Sequence, residues 1–513
     1  MGSNTEYDAG DWKAKVPAEG EVGSRDDIGV ETTRDDLDSK AKDIKVDSGR
    51  DELEPDSPAS DIQDEEATTE TYKVYKRRWL GLVQLTLLNI VVSWEWLTFS
   101  PVVSTAAEFF DTSEAAINWL STAFLLAFVA VVPFVIYTLH WGPKPSILAA
   151  SILMLVGNWV RYGGVRASSH SFGVVMFGQI LIGFSQPFVL AAPTRYTDLW
   201  LTNRGRVAAT ALMSLANPFG AALGQLIIPF WVYSPSDIPN AVLYLAIIAT
   251  IACVPSLFVP AKPPTPPSAS GETQKLDLKV SARKLLEHRE PWLLLIPFII
   301  YVGFFNSLST IINQVLTPYG FSDTDAGIAG AVFIVVGLVS AAITSPIIDR
   351  TKAFLMFIKI VVPLVGLSYL VFIWMPETRS IAAVIVILAV IGASSFSLVP
   401  AVMEYLVELT HPLSPEVTST VAWAGGQLFG AIFIVVSNAL KAGADADPPN
   451  NMTKALIFQA VICVVAFPIP LFLGLFGRGD KVLLRRVRSD QHHRDLPAQQ
   501  QTRDERISEG YPV

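Results

Sequence analysis

Charge is scarce in this chain. Asp, Glu, Lys and Arg make up 17% of its 513 residues, against roughly 25% in soluble globular proteins. Cysteine is scarcer still: Cys253 and Cys463 both lie inside apolar runs, which excludes a disulfide scaffold and a cysteine-based metal site. No metal and no cofactor is expected. There is no Walker A pattern and no soluble domain to hold one, so an ATP-driven pump is not expected. No His/carboxylate cluster or activated nucleophile falls within an apolar segment, so enzyme chemistry is not expected. A folded basic domain is also missing, which argues against a nucleic-acid partner. No apolar run follows Met1, and a cleavable signal peptide is not expected. Met1-Gly2 resembles a myristoylation start, but Glu6 stands where Ser or Thr is required.

What the chain has instead is apolar length. Hydrophobic residues are 51% of it, and its mean hydropathy is +0.42. Twelve stretches are long enough to cross a bilayer, which takes about 20 residues each. They run over 79–105, 116–138, 145–163, 171–192, 206–232, 239–260, 291–317, 326–346, 354–376, 380–406, 417–440 and 454–477. The third is short, and Pro255 interrupts the sixth. Before them, residues 1–72 carry 22 acidic against 8 basic residues, few aromatics and no apolar periodicity. Residues 1–77 are therefore expected to be a disordered acidic tail. Residues 478–513 form a second tail.

Basic residues fix the expected orientation. With both termini in the cytoplasm, short loops and flanks place 21 Lys and Arg inside and 5 outside. The inner set includes Lys76, Arg77, Arg78, Lys144, Arg350 and Lys352. A multi-pass protein with cytoplasmic termini is expected, in the plasma membrane, with the lipid bilayer as its surroundings and a monomer as its state.

The polar, proline-rich segment 261–290 is the one long internal connection, and it separates halves of similar length, 78–260 and 291–477. Near-equal halves of six spans suggest a duplicated unit. Local sequence agrees. Phe110-Asp111-Thr112-Ser113-Glu114 precedes the second span and Phe321-Ser322-Asp323-Thr324-Asp325 the eighth, each offering caps for a helix N-terminus. Ala216, Gly220 and Gly224 in the fifth span match Ala422, Gly426 and Gly430 in the eleventh. Such small-residue stripes allow close helix approach. After the eighth span, Asp349-Arg350-Thr351-Lys352 resembles the acid-basic turn of the major facilitator superfamily; the counterpart in the first half is His140-Trp141-Gly142-Pro143-Lys144, without the acid. The fold class expected is an all-α membrane protein of twelve helices in two pseudo-symmetric six-helix bundles.

Polar groups inside a membrane are functional candidates by default. The densest set is Trp94-Glu95-Trp96-Leu97-Thr98-Phe99-Ser100 in the first span. On a continuous helix Trp94 and Trp96 point about 200° apart. Trp96, Phe99 and Ser100 then share a face, with Glu95 beside it and over Phe99 at i+4. An aromatic wall next to a carboxylate suits an organic cation. Trp94 can equally pack or anchor at an interface. Gln186, Asn217, Gln225, Asn306, Asn313 and Gln427 are further candidates for a central cavity, though each can also serve as interhelical glue. Glu404, near the inner end of the tenth span, suits pairing with a loop arginine.

Several motifs resemble the feline leukaemia virus subgroup C receptor-related transporters. They are Trp96-Leu97-x-Phe99-Ser100, Asn118-Trp119-Leu120-Ser121, Gly178-Gln179 with Ser185-Gln186-x-Phe188, Leu308 to Asn313, Glu404-Tyr405-x-x-Glu408 to Pro412, and Gly426-Gln427-x-Phe429-Gly430. The resemblance covers about residues 77–477. It implies facilitative movement of choline or ethanolamine, with haem export also attributed to the family. It places Trp96 on the family's cation-stacking tryptophan, and Gln186 and Gln427 on its cavity glutamines. Asn306 stands where the family has a cavity tyrosine, and Glu95 replaces a glutamine. The expected function is secondary transport of a small organic solute, best a cationic amine, by alternating access. Substrate contacts fall to Trp96, Glu95, Phe99, Gln186, Asn306 and Gln427, and gating or structural roles to Asp349, Arg350, Glu404, Gly220, Gly224, Gly426 and Gly430. Export of a haem-like compound, drug or secondary metabolite is the alternative within transport. A non-transporting receptor or sensor is the alternative outside it.

Overall fold

The computed structural model describes residues 75–168, 170–201, 203–265, 278–287, 289–410 and 415–474. Residues 1–74 and 475–513, which contain almost all of both expected tails, lie outside the described residues. Among those described, twelve helical segments are long and apolar enough to cross a membrane. The first half comprises α1 (Arg78–Trp96), α2 (Val103–Phe109), α3 (Glu114–Trp141), α4 (Pro143–Arg166), α5 (Phe172–Trp200), α6 (Asn203–Trp231) and α7 (Ile238–Cys253). The second comprises α9 (Trp292–Leu316), α10 (Asp323–Thr351), α11 (Phe354–Phe372), α12 (Ile381–Thr410), α13 (Pro415–Ala439) and α14 (Thr453–Ala466). Between them lies a short amphipathic helix, α8 (Leu278–Glu287), which the sequence reading had not separated from the central connection.

Local chemistry sets the helix ends. Ser113 caps α3 by accepting from Ala116 N. Ser322 and Asp325 form a full capping box on α10, so the two capping segments act at equivalent points of the two halves. The tight turns that follow these helices also correspond. Gly142 ends α3 with φ 131° and Lys352 ends α10 with φ 54°, both conformations in which a Cβ is disfavoured. The sixth span breaks as Pro255 requires: α7 stops at Cys253 and a 3₁₀ turn covers Val254–Phe258.

The first span does not run through as expected. α1 stops at Trp96, a 3₁₀ turn covers Ser100–Val102, and α2 completes the crossing. Pro101 is the physical reason. It lacks the N–H that would bond the Leu97 carbonyl, and its ring crowds that carbonyl.

The small-residue stripes do equivalent work in each half. α6 packs on α1, and a Cβ at Gly220 would collide with the Ile90 carbonyl. α13 packs on α9, where a Cβ at Gly430 would meet Asn306 Cβ at 2.8 Å and one at Gly426 would strike Val302. The outward surface is apolar, with Phe134, Ile251, Leu257 and Val465 exposed, as a lipid-facing surface requires. Trp79, Trp141, Tyr233 and Trp374 lie exposed near segment ends, where amphipathic rings favour the membrane–water boundary.

Gly220→Val is therefore expected to destabilise the protein by about 1–3 kcal/mol through overpacking. Gly163→Ala, at a position where a Cβ would meet nothing within 4 Å, is expected to be neutral. Thermal unfolding of the detergent-purified proteins measures both, and equal midpoints for the two variants would refute the close α1–α6 approach.

Candidate functional site

Four of the expected contact residues lie at mid-depth. Trp96 is at the break of the first span, Gln186 is near the middle of α5, Asn306 of α9 and Gln427 of α13. All four are buried. In the second half Asn306 and Gln427 bind one another: Asn306 Nδ2 donates to Gln427 Oε1 at 3.0 Å and to the Gly426 carbonyl at 3.4 Å. The close α9–α13 packing at Gly430 brings them together. In the first half Trp96 stacks on Phe124 of α3, with ring centres 6.2 Å apart and planes at 21°. Its indole Nε1 has no partner, and neither has Gln186 Oε1. A buried indole N–H and a buried amide oxygen without partners are costly in a protein interior and suit a ligand that supplies them.

Trp94 takes a different wall. It stacks on Trp231 of α6 at 5.6 Å and 27°, within an apolar cluster that includes Phe99, Val102, Phe110, Ile117 and Leu245. Packing accounts for its ring, while its indole Nε1, like that of Trp96, has no hydrogen-bond partner.

The expected helical face of Trp96, Phe99 and Ser100 does not exist, because the helix ends between the first of these residues and the other two. Phe99 turns to Phe110, edge-on at 6.1 Å. The Ser100 hydroxyl bonds that of Ser121 on α3 at 3.0 Å. Trp96 and Ser100 still both contact α3.

Glu95 also departs from the expectation. It is 0% exposed and is turned towards α4, with Asn158 rather than Phe99 against its carboxylate. Asn158 Nδ2 donates to Glu95 Oε1 at 2.8 Å, and Asn158 Oδ1 accepts from Arg161 Nη2 at 2.9 Å. One amide thus bridges a carboxylate and a guanidinium. Arg161 is also 0% exposed, and its guanidinium lies 5.8 Å from the centre of the Phe99 ring. The close meeting of α4 and α5 makes this possible: a Cβ at Gly178 would collide with the Gly157 carbonyl and Arg161 N. Burying one charge alone costs several kcal/mol, and Asn158 sets the Glu95 carboxyl group and the Arg161 guanidinium in one hydrogen-bonded network without direct contact, leaving Glu95 Oε2 unpartnered. The sequence reading omitted Arg161 and Asn158; a lone arginine in an apolar stretch was the available signal.

A polar seam joins the halves at the end where α3 begins and α9 and α13 finish. Asn118 Nδ2 donates to Gln314 Oε1 at 3.0 Å and to Asn438 Oδ1 at 2.7 Å. Asn313 Nδ2 donates to the Pro101 carbonyl at 2.7 Å and to Asp323 at 2.8 Å. Gln225 donates to the Ser309 carbonyl, and Lys441 pairs with Glu114. Gln225 and Asn313, cavity candidates by sequence, are thus engaged in this seam. Of the remaining gating candidates, Arg350 is exposed in the last turn of α10 and Glu404 is half-buried on α12. The Asp349 side chain lies outside the described set.

Residues 85–435 match the Major Facilitator Superfamily. Solute carrier family 49 member A3 of Danio rerio is 33% identical over 410 residues, covering 77% of this chain and 86% of its own. The choline/ethanolamine transporter FLVCR1 of Felis catus is 28% identical over 407 residues, covering 75% and 72%. The human choline/ethanolamine transporter FLVCR2 is 25% identical over 425 residues, covering 78% of each. Among solved structures, a bacterial homologue of the human lysosomal transporter Spinster, inward-facing and unoccupied, superposes with a TM-score of 0.60 at 13% identity, covering 78% of this chain and 97% of that one. A D-xylose-proton symporter gives 0.59 at 14% identity, covering 76% and 97%.

If the seam is an opening joint, Lys441→Glu loosens it, replacing a part-buried ion pair by like charges. Cys253 and Cys463 are buried, so an Asn118→Cys reporter is expected to dominate reaction with a hydrophilic thiol reagent. Adding Lys441→Glu is expected to raise its labelling rate about fivefold, the equivalent of roughly 1 kcal/mol. An unchanged rate would show that Lys441 and Glu114 do not hold the joint.

Proposed function

Because the chain belongs to the Major Facilitator Superfamily and, within it, to the FLVCR-related solute carriers that move small solutes, we propose that its substrate is a small cationic amine of the choline or ethanolamine type. The observation that carries this reading is the mid-depth set of Trp96, Gln186, Asn306 and Gln427, drawn from both halves. A site between two repeats at the membrane midplane is served by such a set. The relatives named as choline/ethanolamine transporters support the same substrate class.

The engagement of Glu95 changes how such a cation would be held. With its Oε1 bonded by Asn158 of α4, Glu95 is not read as the counter-ion. The ammonium is instead held by the face of Trp96, where cation–π attraction contributes about 0.5–2 kcal/mol or more once water is excluded. Its hydroxyl or N–H group is oriented by the amides. Asn306, held by Gln427, supplies polarity where the family has an aromatic ring, which favours a substrate carrying a hydrogen-bonding group over a purely apolar ammonium.

The excess of basic residues on one side supports cytoplasmic termini, and a plasma-membrane location is proposed with it. In that orientation the seam lies on the outer side, and the structure is closed outward. Transport then requires the seam to part as the halves rock about the midplane site, while Arg350, Glu404 and Asp349 act at the opposite end.

Uptake of labelled choline, ethanolamine and haem into proteoliposomes tests the substrate class. Choline or ethanolamine uptake is expected and haem transport is not; haem movement alone would favour the exporter reading, and movement of none of the three the receptor reading. Trp96→Ala is expected to lower kcat/KM for the amine about 10- to 30-fold, equivalent to roughly 1.4–2 kcal/mol. Trp94→Ala, at matched amounts of folded protein, is expected to lose much less. Equal losses would remove Trp96 from the site.

A further inference from the structure

The end of α1 poses a problem that only its neighbours solve. A helix that stops leaves its last carbonyls without intrahelical partners, and a membrane interior has no water to bond them. Around Trp96 the helix supplies little: Glu95 O receives a long 3.4 Å bond from Thr98 N and one from the Thr98 hydroxyl at 2.8 Å. The remaining donors come from α4 and α5. Arg161 Nη1 reaches Glu95 O at 3.2 Å and Thr98 Oγ1 at 3.1 Å. Gln179 Nε2 reaches Glu95 O at 3.3 Å and Trp96 O at 3.5 Å. Gln179 is held in turn by Arg161, whose Nη1 donates to its Oε1 at 2.8 Å.

We propose that Arg161 is a positioning residue for the substrate site: from α4 it caps the broken end of α1 and thereby fixes the direction in which Trp96 points. The proposal rests on the reading of Trp96 as the substrate's aromatic contact. Arg161 itself is fully buried behind Glu95, so its effect is transmitted through the α1 carbonyls. Two features make arginine the suitable residue. A cation at a helix C-terminus is favoured by the helix dipole. The planar fork serves two sets of partners at once, with Nη1 on α1 and Gln179 and Nη2 on Asn158, which a single lysine nitrogen cannot do. The Glu95 carboxyl group joins this network through Asn158, whose Nδ2 donates to Glu95 Oε1 and whose Oδ1 accepts from Arg161 Nη2.

Arg161→Gln alone leaves the Glu95 carboxylate buried without a cation and is expected to fail in folding. The test therefore uses the neutral pair Glu95→Gln/Arg161→Gln, together with Arg161→Lys, in lipid nanodiscs and proteoliposomes. Hydrogen–deuterium exchange of the 97–103 amides reads the cap directly. In the neutral pair it is expected to rise about tenfold or more, with α9 unchanged. KM for choline is expected to rise about tenfold with a much smaller change in kcat, and Arg161→Lys to fall between this variant and wild type in both readouts. Unchanged exchange in the folded neutral pair would overturn the cap. Faster exchange with wild-type KM would leave Arg161 a structural cap only and overturn the positioning role. Failure of the wild type to bind choline or ethanolamine would sink the substrate reading, and with it the positioning role, whereas the exchange result would still decide the cap.

Discussion

A guanidinium in the interior of a membrane protein is costly unless opposite charge or hydrogen-bond acceptors engage it. Arg161 is held by acceptors on Nη1 and Nη2, while its buried Nε has no partner, and this arrangement organises much of the first half. Arg161 is linked to the Glu95 carboxyl group by Asn158. Its donors go to the last carbonyls of α1 and to Gln179. The glycine contact between α4 and α5 makes room for it. The break of α1 is thus a satisfied structure rather than a defect, and it lies beside the tryptophan that the family resemblance marks for substrate contact. Broken helices at the midplane are where transporters of this kind find backbone and side-chain groups for a ligand.

The two halves solve a common packing problem alike but furnish their polar centres differently. In each, a small-residue stripe on the fifth helix lets it approach the first closely. Beside this contact the first half holds a carboxyl group and a guanidinium bridged by Asn158, and the second holds a neutral amide pair, Asn306 and Gln427. The two halves therefore differ in the polar groups that lie beside this contact. The halves meet through side-chain amides and one part-buried ion pair, Lys441 with Glu114. Contacts of this kind are individually weak, whereas the stripes within each half are tight.

Architecture was legible because the bilayer imposes it: an apolar run must reach a set length, and basic residues collect on one side. The Ser113 and Ser322 caps were legible because a helix start exposes donors that those side chains satisfy. The break at Leu97 was less so. Trp94 to Ser100 contains no glycine or proline, and the signal, Pro101, acts four residues upstream through the carbonyl it cannot serve. Treating that stretch as continuous helix put Phe99 and Glu95 on the wrong walls. Arg161 was obscured by its position near the end of an apolar span, where an arginine reads as a flank charge. Its partner could not be inferred because the contact depends on how α1, α4 and α5 pack, which no periodicity encodes. The seam was hidden for a similar reason: Asn118, Gln314 and Asn438 are ordinary polar residues until the halves bring them together.

The central claim is that the substrate amine meets Trp96 and the amides while Glu95 stays with Arg161. A cryo-EM structure of the protein with bound choline or ethanolamine, resolved well enough to place the Glu95 side chain, tests it most directly. The expected result is ligand density against the Trp96 ring and within reach of Gln186 or the Asn306–Gln427 pair, with Glu95 still bonded to Asn158. Density with the Glu95 carboxylate turned away from Asn158 and in contact with the ammonium would contradict the claim.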